Sequence, residues 1–440
     1  MREVKRSRRR QYSNLNIGDL PEPLLVDILC RLPCESAVRC KCVSKHWFGL
    51  ISDPFFLRRF LCLQSHKQKP IIRTLIFSNT PIENKFFSMS SSPGINNWPD
   101  FSFLPCFQSP SVEKGNEPVV LGSYNDLVLC CATKYYQSDY YICNPRTKKW
   151  VRLPLAPSSF EKIRVGFVCE PFYKEVVAGE KGHFQLDFEY TFMESTAGQF
   201  HLEVFCSKNG YWFNSIVYSQ QSFNFDSLAD NIGIAHKGML YWWSLEGFLI
   251  GLKLDVCSSI KYCASFCSFI EKPLGDRFGG GYELLGVCRG RMRLCQLFAI
   301  GHYDITETFL RIWELREDDD QVNKINDDRW CLIDTLSIEH IFWWDNPSSI
   351  KFPPEDELVL APHTTTVLAF DPNNEDILFL QMRQHVFMCN ITDKTVALTN
   401  VTRYKSIYGL ERSVSPLVLP WWPTPVPTLP CPPIRAIDIL

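Results

Sequence analysis

Residues Leu20 to Phe60 read LPEPLLVDILCRLPCESAVRCKCVSKHWFGLISDPFFLRRF. Leu24, Leu25, Ile28, Leu29 and Leu32 recur at helical spacing and give a first segment one wide apolar face. Pro23 stands where a helix begins, a place proline tolerates because that N–H has no intrahelical partner. Pro33 ends the segment. Glu35 to Cys42, with Ala37, Val38, Cys40 and then Val43, predicts a short second helix. Ser44 is a natural N-cap for a third, Lys45 to Ile51, whose apolar residues are Trp47, Phe48, Leu50 and Ile51. Asp53 caps a last turn through Pro54, Phe55, Phe56 and Leu57. Three short helices in about forty residues cannot hide this much apolar surface among themselves. The surplus is expected to face a partner chain.

Outward from this stretch, residues 1–14 form a basic tail with Arg2, Lys5, Arg6, Arg8, Arg9 and Arg10, expected to be a disordered, solvated tail, with a nuclear-import signal or a nucleic-acid arm as the functional alternative. The chain has 440 residues and a formal net charge of −2, so no global field draws it to nucleic acid or anionic lipid. No apolar run reaches membrane-spanning length, and the polar, basic start does not read as a signal peptide. The 19 cysteines are odd in number, scattered, and never stand as Cys-x-x-Cys. They read as reduced thiols acting as small hydrophobes in a nuclear or cytoplasmic protein, not as a disulfide frame or a zinc site.

From residue 70 the pattern changes to short β-rich runs punctuated by Gly, Asn, Asp and Pro. Ile71 to Phe77 is the first candidate strand, and Phe86 to Gln108 a weak strand followed by a loop. Leu121 to Cys130 is a turn feeding a strand. In Tyr140 to Pro154, Asn144-Pro145-x-Thr147 makes a tight turn between two strands, and Trp150 is expected to point from the second into an apolar layer. The unit recurs in degraded form at 165–179, 202–212, 233–255, 284–298, 310–336 and 367–394. Six or so units at roughly 40- to 60-residue spacing suit an antiparallel β-propeller. Two packed β-sandwiches would show similar strand signals. Past Pro420, the prolines 423, 425, 427, 430, 432 and 433 predict an extended polyproline II segment, read as a stiff tail in preference to a docking peptide.

Chemistry-bearing motifs are absent: no Gly-x-Ser-x-Gly elbow, no His-Glu-x-x-His, no phosphate loop. Gly279-Gly280-Gly281 opens no helix and reads as a flexible turn. The nine histidines are dispersed, and Asp318 to Asp320 reads as a solvated acidic loop rather than a cation site. The sequons at Asn390 and Asn400 carry no information in a chain without a secretory signal.

Two resemblances cover nearly the whole chain. Leu20-Pro21, Ile28-Leu29, Arg31-Leu32-Pro33, Cys42-Val43-Ser44-Lys45, Trp47, Leu50-Ile51 and Asp53-Pro54-x-Phe56 match in order and spacing, and the run resembles an F-box, the adaptor-binding module of cullin-based ubiquitin ligases. Pro23 and Glu35 depart from it, standing where relatives more often carry an acidic and a basic residue. The remainder resembles the plant F-box-associated interaction domain, kelch- or propeller-like, through Tyr141-Ile142-Cys143-Asn144-Pro145-x-Thr147 to Trp150, Gly166-Phe167 with Tyr173, Leu240-Tyr241-Trp242, Ile312-Trp313-Glu314-Leu315 and Leu417-x-Leu419-Pro420-x-Trp422-Pro423.

The expected fold class is α+β multidomain: a small all-α F-box module, then a large all-β antiparallel propeller-like domain. The expected boundaries are a basic tail 1–14, F-box 15–62, linker 63–69, propeller 70–423 and a Pro-rich tail 424–440. The resemblance implies a non-catalytic substrate receptor of a Skp-cullin-F-box ubiquitin ligase. Leu20, Pro21, Leu24, Ile28, Leu32, Pro33, Val43, Trp47, Leu50 and Ile51 would meet the Skp-type adaptor, and through it cullin and a RING protein. The β domain would hold an unidentified target protein. No cofactor, metal, nucleic acid or membrane is called for. The rival readings are a propeller enzyme or carbohydrate reader using the central channel, and an adaptor partner with a non-ubiquitin assembly role.

Overall fold

The computed structural model describes residues 17, 20–65, 72–77, 86–88, 101–108, 118–133, 135–159, 164–169, 188–189, 195–196, 199–207, 209–218, 232–244, 247–253, 266–273, 282–302, 305–316, 329–344, 365–382, 385–399, 414–418 and 422–430. The basic tail, the glycine triplet at 279–281 and the acidic loop at 318–320 lie outside them.

The amino-terminal unit holds four helices: α1 (Glu22–Cys30), α2 (Cys34–Cys40), α3 (Lys45–Ser52) and α4 (Pro54–Ser65). Pro21 and Pro33 stand at the N-caps of α1 and α2 in extended backbone, so each proline starts a helix where its missing N–H costs nothing. Ser44 caps α3 as expected, its Oγ accepting the Trp47 N–H at 3.1 Å. The last turn is instead a twelve-residue helix, α4. Asp53 starts it by accepting the Phe55 N–H at 2.7 Å. Phe56, Leu57, Phe60 and Leu61 then supply a buried stripe at helical spacing. Gln64, placed in the 63–69 linker by the sequence, belongs to that helix; it is buried, and its Nε2 donates to the Cys30 and Leu32 carbonyls at 3.3 and 3.2 Å. These carbonyls lie at the end of α1, so α4 caps α1.

The β-rich unit contains four complete blades of four antiparallel strands. The first is Val119–Tyr124, Leu127–Cys131, Tyr140–Asn144 and Lys149–Arg152. The second is Ile232–His236, Met239–Trp243, Phe248–Lys253 and Phe266–Glu271, with Val165–Gly166 added in parallel beside Ile232. The third is Tyr282–Cys288, Arg291–His302, Ile305–Leu315 and Trp330–Ser337; the fourth is Thr365–Phe370, Ile377–Met382, His385–Asn390 and Thr395–Leu398. A smaller sheet, Ser195–Thr196 with the hairpin Gln199–Cys206 and Tyr211–Tyr218, lies beside them in sequence.

The first strands of successive blades touch one another, and Val414–Val418 touches the first strands of blades four and one. That closed ring is the arrangement of a propeller and excludes two stacked sandwiches. Val414–Val418 also pairs antiparallel with Ile72–Phe77, tying the late strand to the earliest. Because blade one is covered on both sides, its second strand is apolar throughout. Leu127–Cys131 is buried at every position, one face packing with Tyr140 and Ile142, the other with Tyr141, Cys143 and Leu417. Cysteines Cys130, Cys143, Cys295 and Cys389 are free and buried here as small hydrophobes; burial pushes the Cys389 thiol up to about 12.

Turn chemistry follows the sequence. Lys237-Gly238 and Arg289-Gly290 both have positive φ at the two loop positions, as a type I′ hairpin requires. Asn144 is buried, and its Oδ1 accepts the Arg146 and Thr147 N–H groups, which fixes the Asn-Pro-x-Thr turn. Trp150 departs from expectation. It is 41 % exposed, because Lys149–Arg152 is the edge strand of its blade, and its ring lies 5.9 Å from that of Tyr141 between centroids.

The proline-rich segment departs further. Thr424 is buried, and Val426 and Leu429 pack against the core of blade one. As far as Pro430, what read as a stiff tail is part of the domain.

Candidate adaptor-docking face

The helical unit completes a core of its own. Leu25, Val26, Leu29 and Cys30 of α1, Ala37 of α2, and Trp47 and Ile51 of α3 are buried together with the α4 stripe, whose Phe56 and Phe60 rings stack at 6.0 Å. Two registers of α1 remain outside. Leu24 is 55 % exposed and Ile28 is 41 % exposed. They stand four residues apart, one turn above the other on a single helix face. Pro21, also exposed, extends that line by three residues. Charge borders it: Asp27 accepts from Arg31 at 3.0 Å and from Arg59 of α4 at 2.7 Å. The Arg59 hydrogen bond, with Arg31 beside it, holds the Asp27 carboxyl below its usual range against the opposing pull of partial burial.

The ten residues anticipated as contacts fall into three groups. Pro21, Leu24, Ile28, Pro33 and Val43 are exposed, Val43 by 63 % in the turn before α3. Leu20, Leu32 and Leu50 are half-buried. Trp47 and Ile51 are interior, at 9 % and 1 %, so their side chains hold the helices in place rather than presenting a surface. Two exposed aromatics join the outer set, Phe48 on α3 and Phe55 in the first turn of α4. The signal for Phe48 was present: it follows Trp47 directly, and successive helical residues point about a quarter-turn apart, so a buried Trp47 leaves its neighbour facing out. Lys41 places its ammonium 5.8 Å from the Phe48 ring.

Elsewhere the structure joins motifs that are distant in sequence. Gly166 pairs with Gly233 across the parallel strands; Gly166 sits under Leu240 and Trp242, and Gly233 under Trp242. Ala or any larger residue at Gly233 would place its Cβ about 2.5 Å from the Trp242 ring. Glu314 accepts from Arg293 and Arg291 at 2.8 Å each. Among the described residues no three His, Cys, Asp or Glu side chains gather to hold a metal ion, and no helix is long and apolar enough to cross a membrane.

A four-helix module with an uncovered apolar strip, followed in the same chain by a β-propeller, defines a class of two-part helical and propeller proteins. Residues 17–64 match the F-box-like family model, and residues 94–427 match the family described as F-box protein At3g26010-like, beta-propeller. The chain belongs to this family of plant F-box proteins. It is 23 % identical to F-box protein At5g49610 of Arabidopsis thaliana over 73 % of this chain and 80 % of that one. F-box protein At5g07610 of the same plant is 29 % identical over 44 % of this chain and 45 % of its own. A stretch of 57 residues is 44 % identical to F-box only protein 8, also of Arabidopsis thaliana, covering 13 % of this chain and 19 % of that protein. Among solved structures, apo AztD from Citrobacter koseri aligns at 9 % identity and a TM-score of 0.29 over 69 % of this chain and 62 % of its own, too weak a likeness to carry an argument.

Proposed function

We propose that this chain is the substrate-recognition subunit of a Skp-cullin-F-box ubiquitin ligase. Its helical module docks on the Skp-type adaptor, and through it on cullin and a RING protein, while the propeller holds a target protein. The observation that carries the reading is the pairing of buried Leu25 and Leu29 with exposed Leu24 and Ile28 on one helix: the module's own core is complete, and an apolar strip is left over. Fully covering a large aliphatic side chain contributes about 1.5–3 kcal/mol. Every 1.4 kcal/mol changes a dissociation constant about tenfold, so a handful of such anchors sustains a tight complex after the cost of association. The chain itself does no chemistry in this reading. It raises the effective concentration of the target beside the ubiquitin-charged enzyme, in the nucleus or the cytoplasm.

Leu24→Asp with Ile28→Asp is the test. The double variant loses adaptor co-purification while the thermal transition of the β domain stays in place. Retention of adaptor at full strength would overturn the docking assignment. Cullin absent from a complex that still holds the adaptor would favour an assembly role without ubiquitination.

A further inference from the structure

The segment 422–430 lies across blade one in a way that resembles a bound peptide more than a chain end. At one end of the blade, Asp126 in the first turn and Asn144 at the end of the third strand form a clasp. Asp126 Oδ2 accepts the Thr424 N–H at 2.9 Å, and Asn144 Nδ2 donates to the Thr424 carbonyl at 2.8 Å. Asn144 Nδ2 also donates to Asp126 Oδ2 at 2.8 Å, which orients both side chains. One residue's main chain is therefore read on both its donor and its acceptor side. Below the clasp, Val426 and Leu429 pack into the apolar layer that includes Trp212. At the opposite end, Pro430 lies against Gly210, whose φ of +73° turns the neighbouring hairpin; Trp212 Nε1 donates to the Pro154 carbonyl close by in the fold. A span from Thr424 to Pro430 at ~3.1 Å per residue covers ~19 Å, about the length of a six-residue strand.

The composition of the segment explains how it can lie there. Pro423, Pro425 and Pro427 have no N–H to leave unsatisfied, and each fixes φ, which lowers the entropy lost on ordering. The fit is nevertheless incomplete. Asp126 Oδ1 is buried without a hydrogen-bond partner among the described residues. A carboxylate oxygen in that state is costly, and Pro423 and Pro425, the residues flanking Thr424, carry no N–H to offer it.

We propose that the Asp126–Asn144 clasp and the apolar groove beneath it form a recognition site for an extended, proline-spaced segment of a target protein, and that residues 422–430 are its resident occupant. The preferred visitor has a non-proline residue at the clasp, small apolar residues two and five positions further on, and an N–H next to the clasp position that the resident lacks. This rests on the reading of the propeller as the target-holding half and names the chemistry it holds. A resident tethered at an effective concentration of about millimolar excludes free peptide until its own clasp is loosened.

The full chain, co-expressed with the adaptor, tests it with a fluorescein-labelled peptide copying residues 421–430. Thr424→Pro removes the N–H that Asp126 accepts while keeping the segment extended. The Thr424→Pro chain binds the peptide at least tenfold more tightly than the unmodified chain, and adding Asn144→Ala abolishes the gain. A peptide with alanine in place of the second proline, which supplies the missing N–H, binds several-fold tighter again. Leu429→Ser is the second variant, loosening the far anchor and leaving the clasp intact. It gives a smaller gain in peptide binding. If Thr424→Pro or Leu429→Ser keeps its melting transition and gains no peptide binding, the site is not a recognition site. If both lose the transition, the segment is permanent core and the proposal fails. Adaptor co-purification is read in the same samples, so failure here leaves the docking assignment standing, and its loss with peptide binding intact sinks only that assignment.

Discussion

Asp27 of α1 and Arg59 of α4 meet at 2.7 Å across thirty-two residues of sequence, making a link between the first and last helices of the docking module. The contact holds the Asp27 carboxyl below its ordinary pKa. A carboxylate whose folded value lies below its unfolded value of about 3.9 adds stability above that pH and loses it as pH falls through the folded value. Helix melting followed at 222 nm should therefore show Asp27→Asn below the unmodified chain at pH 6. The gap should be smaller at about pH 3, below the unfolded value, and close as pH falls through the folded one. A gap of equal size at both pH values would show that Asp27 acts through neutral hydrogen bonding alone.

Gly233 and Trp242 offer a second test. The Trp242 ring fills the space a Cβ at Gly233 would need. Overfilling a packed layer costs about 1–3 kcal/mol, and Gly233→Ala should lower the unfolding free energy measured in denaturant by that amount. The nearest atoms, Cε2, Cζ2 and Nε1, belong to the part of the indole that phenylalanine lacks. Trp242→Phe should thus cost stability alone yet recover much of the loss when combined with Gly233→Ala. Additive losses in the double variant would mean that the two positions do not share this space.

Much of this architecture was legible because it rests on local signals. The break at Pro33, the cap at Ser44, the turns at Asn144, Lys237 and Arg289, and the unbroken apolar run Leu127–Cys131 each declare themselves within a few residues, whereas the first helix starts from Pro21, two residues before the Pro23 that the sequence suggested. The readings that changed depend on what lies across the fold. Trp150 has the character of a core residue, but its strand is at a blade edge. Gln64 is polar and follows an apolar run, yet the open carbonyls of α1 give it a buried place. Thr424 sits in a proline-rich stretch that looks like a tail until Asp126, 298 residues earlier, takes its N–H. On the docking face the helical period separated inside from outside only in part: Ile51 is a strong apolar anchor by composition and wholly interior by packing.

Arg293 ties blades three and four. Its Nε and Nη2 donate to Glu314 Oε2 at 2.9 and 2.8 Å, and its Nη1 to the Glu375 carbonyl at 2.8 Å. The side chain is 6 % exposed and Glu314 is 13 % exposed, so little water can replace the guanidinium. Arg291 still meets Glu314 Oε1, but without Arg293 the Glu314 Oε2 and the Glu375 carbonyl lose their buried donor, a loss that costs up to about 3–5 kcal/mol. Arg293→Met should reduce unfolding free energy by about that much in urea, whereas Arg289→Met, whose pair with Glu375 is exposed, should change it by about 1 kcal/mol or less. Because Arg289 also reaches from blade three to blade four, equal effects at both positions would remove burial of the pair as the cause.

The split of the docking residues into outer and inner sets predicts two kinds of failure. Ile51→Ala hollows the core between α3 and its neighbours, and should destabilise the helical unit by about 2–5 kcal/mol. Its effect on adaptor affinity should shrink as temperature is lowered and the folded fraction recovers. Val43→Glu and Phe48→Ala remove exposed surface and leave that core untouched. Both should retain the helical melting transition within about 0.5 kcal/mol, while weakening adaptor binding equally at every temperature below it. Titration of each variant against purified adaptor at two temperatures separates the cases. Loss of affinity in Val43→Glu that tracks unfolding would place Val43 with the inner set, and the outer face would reduce to the strip formed by Pro21, Leu24 and Ile28.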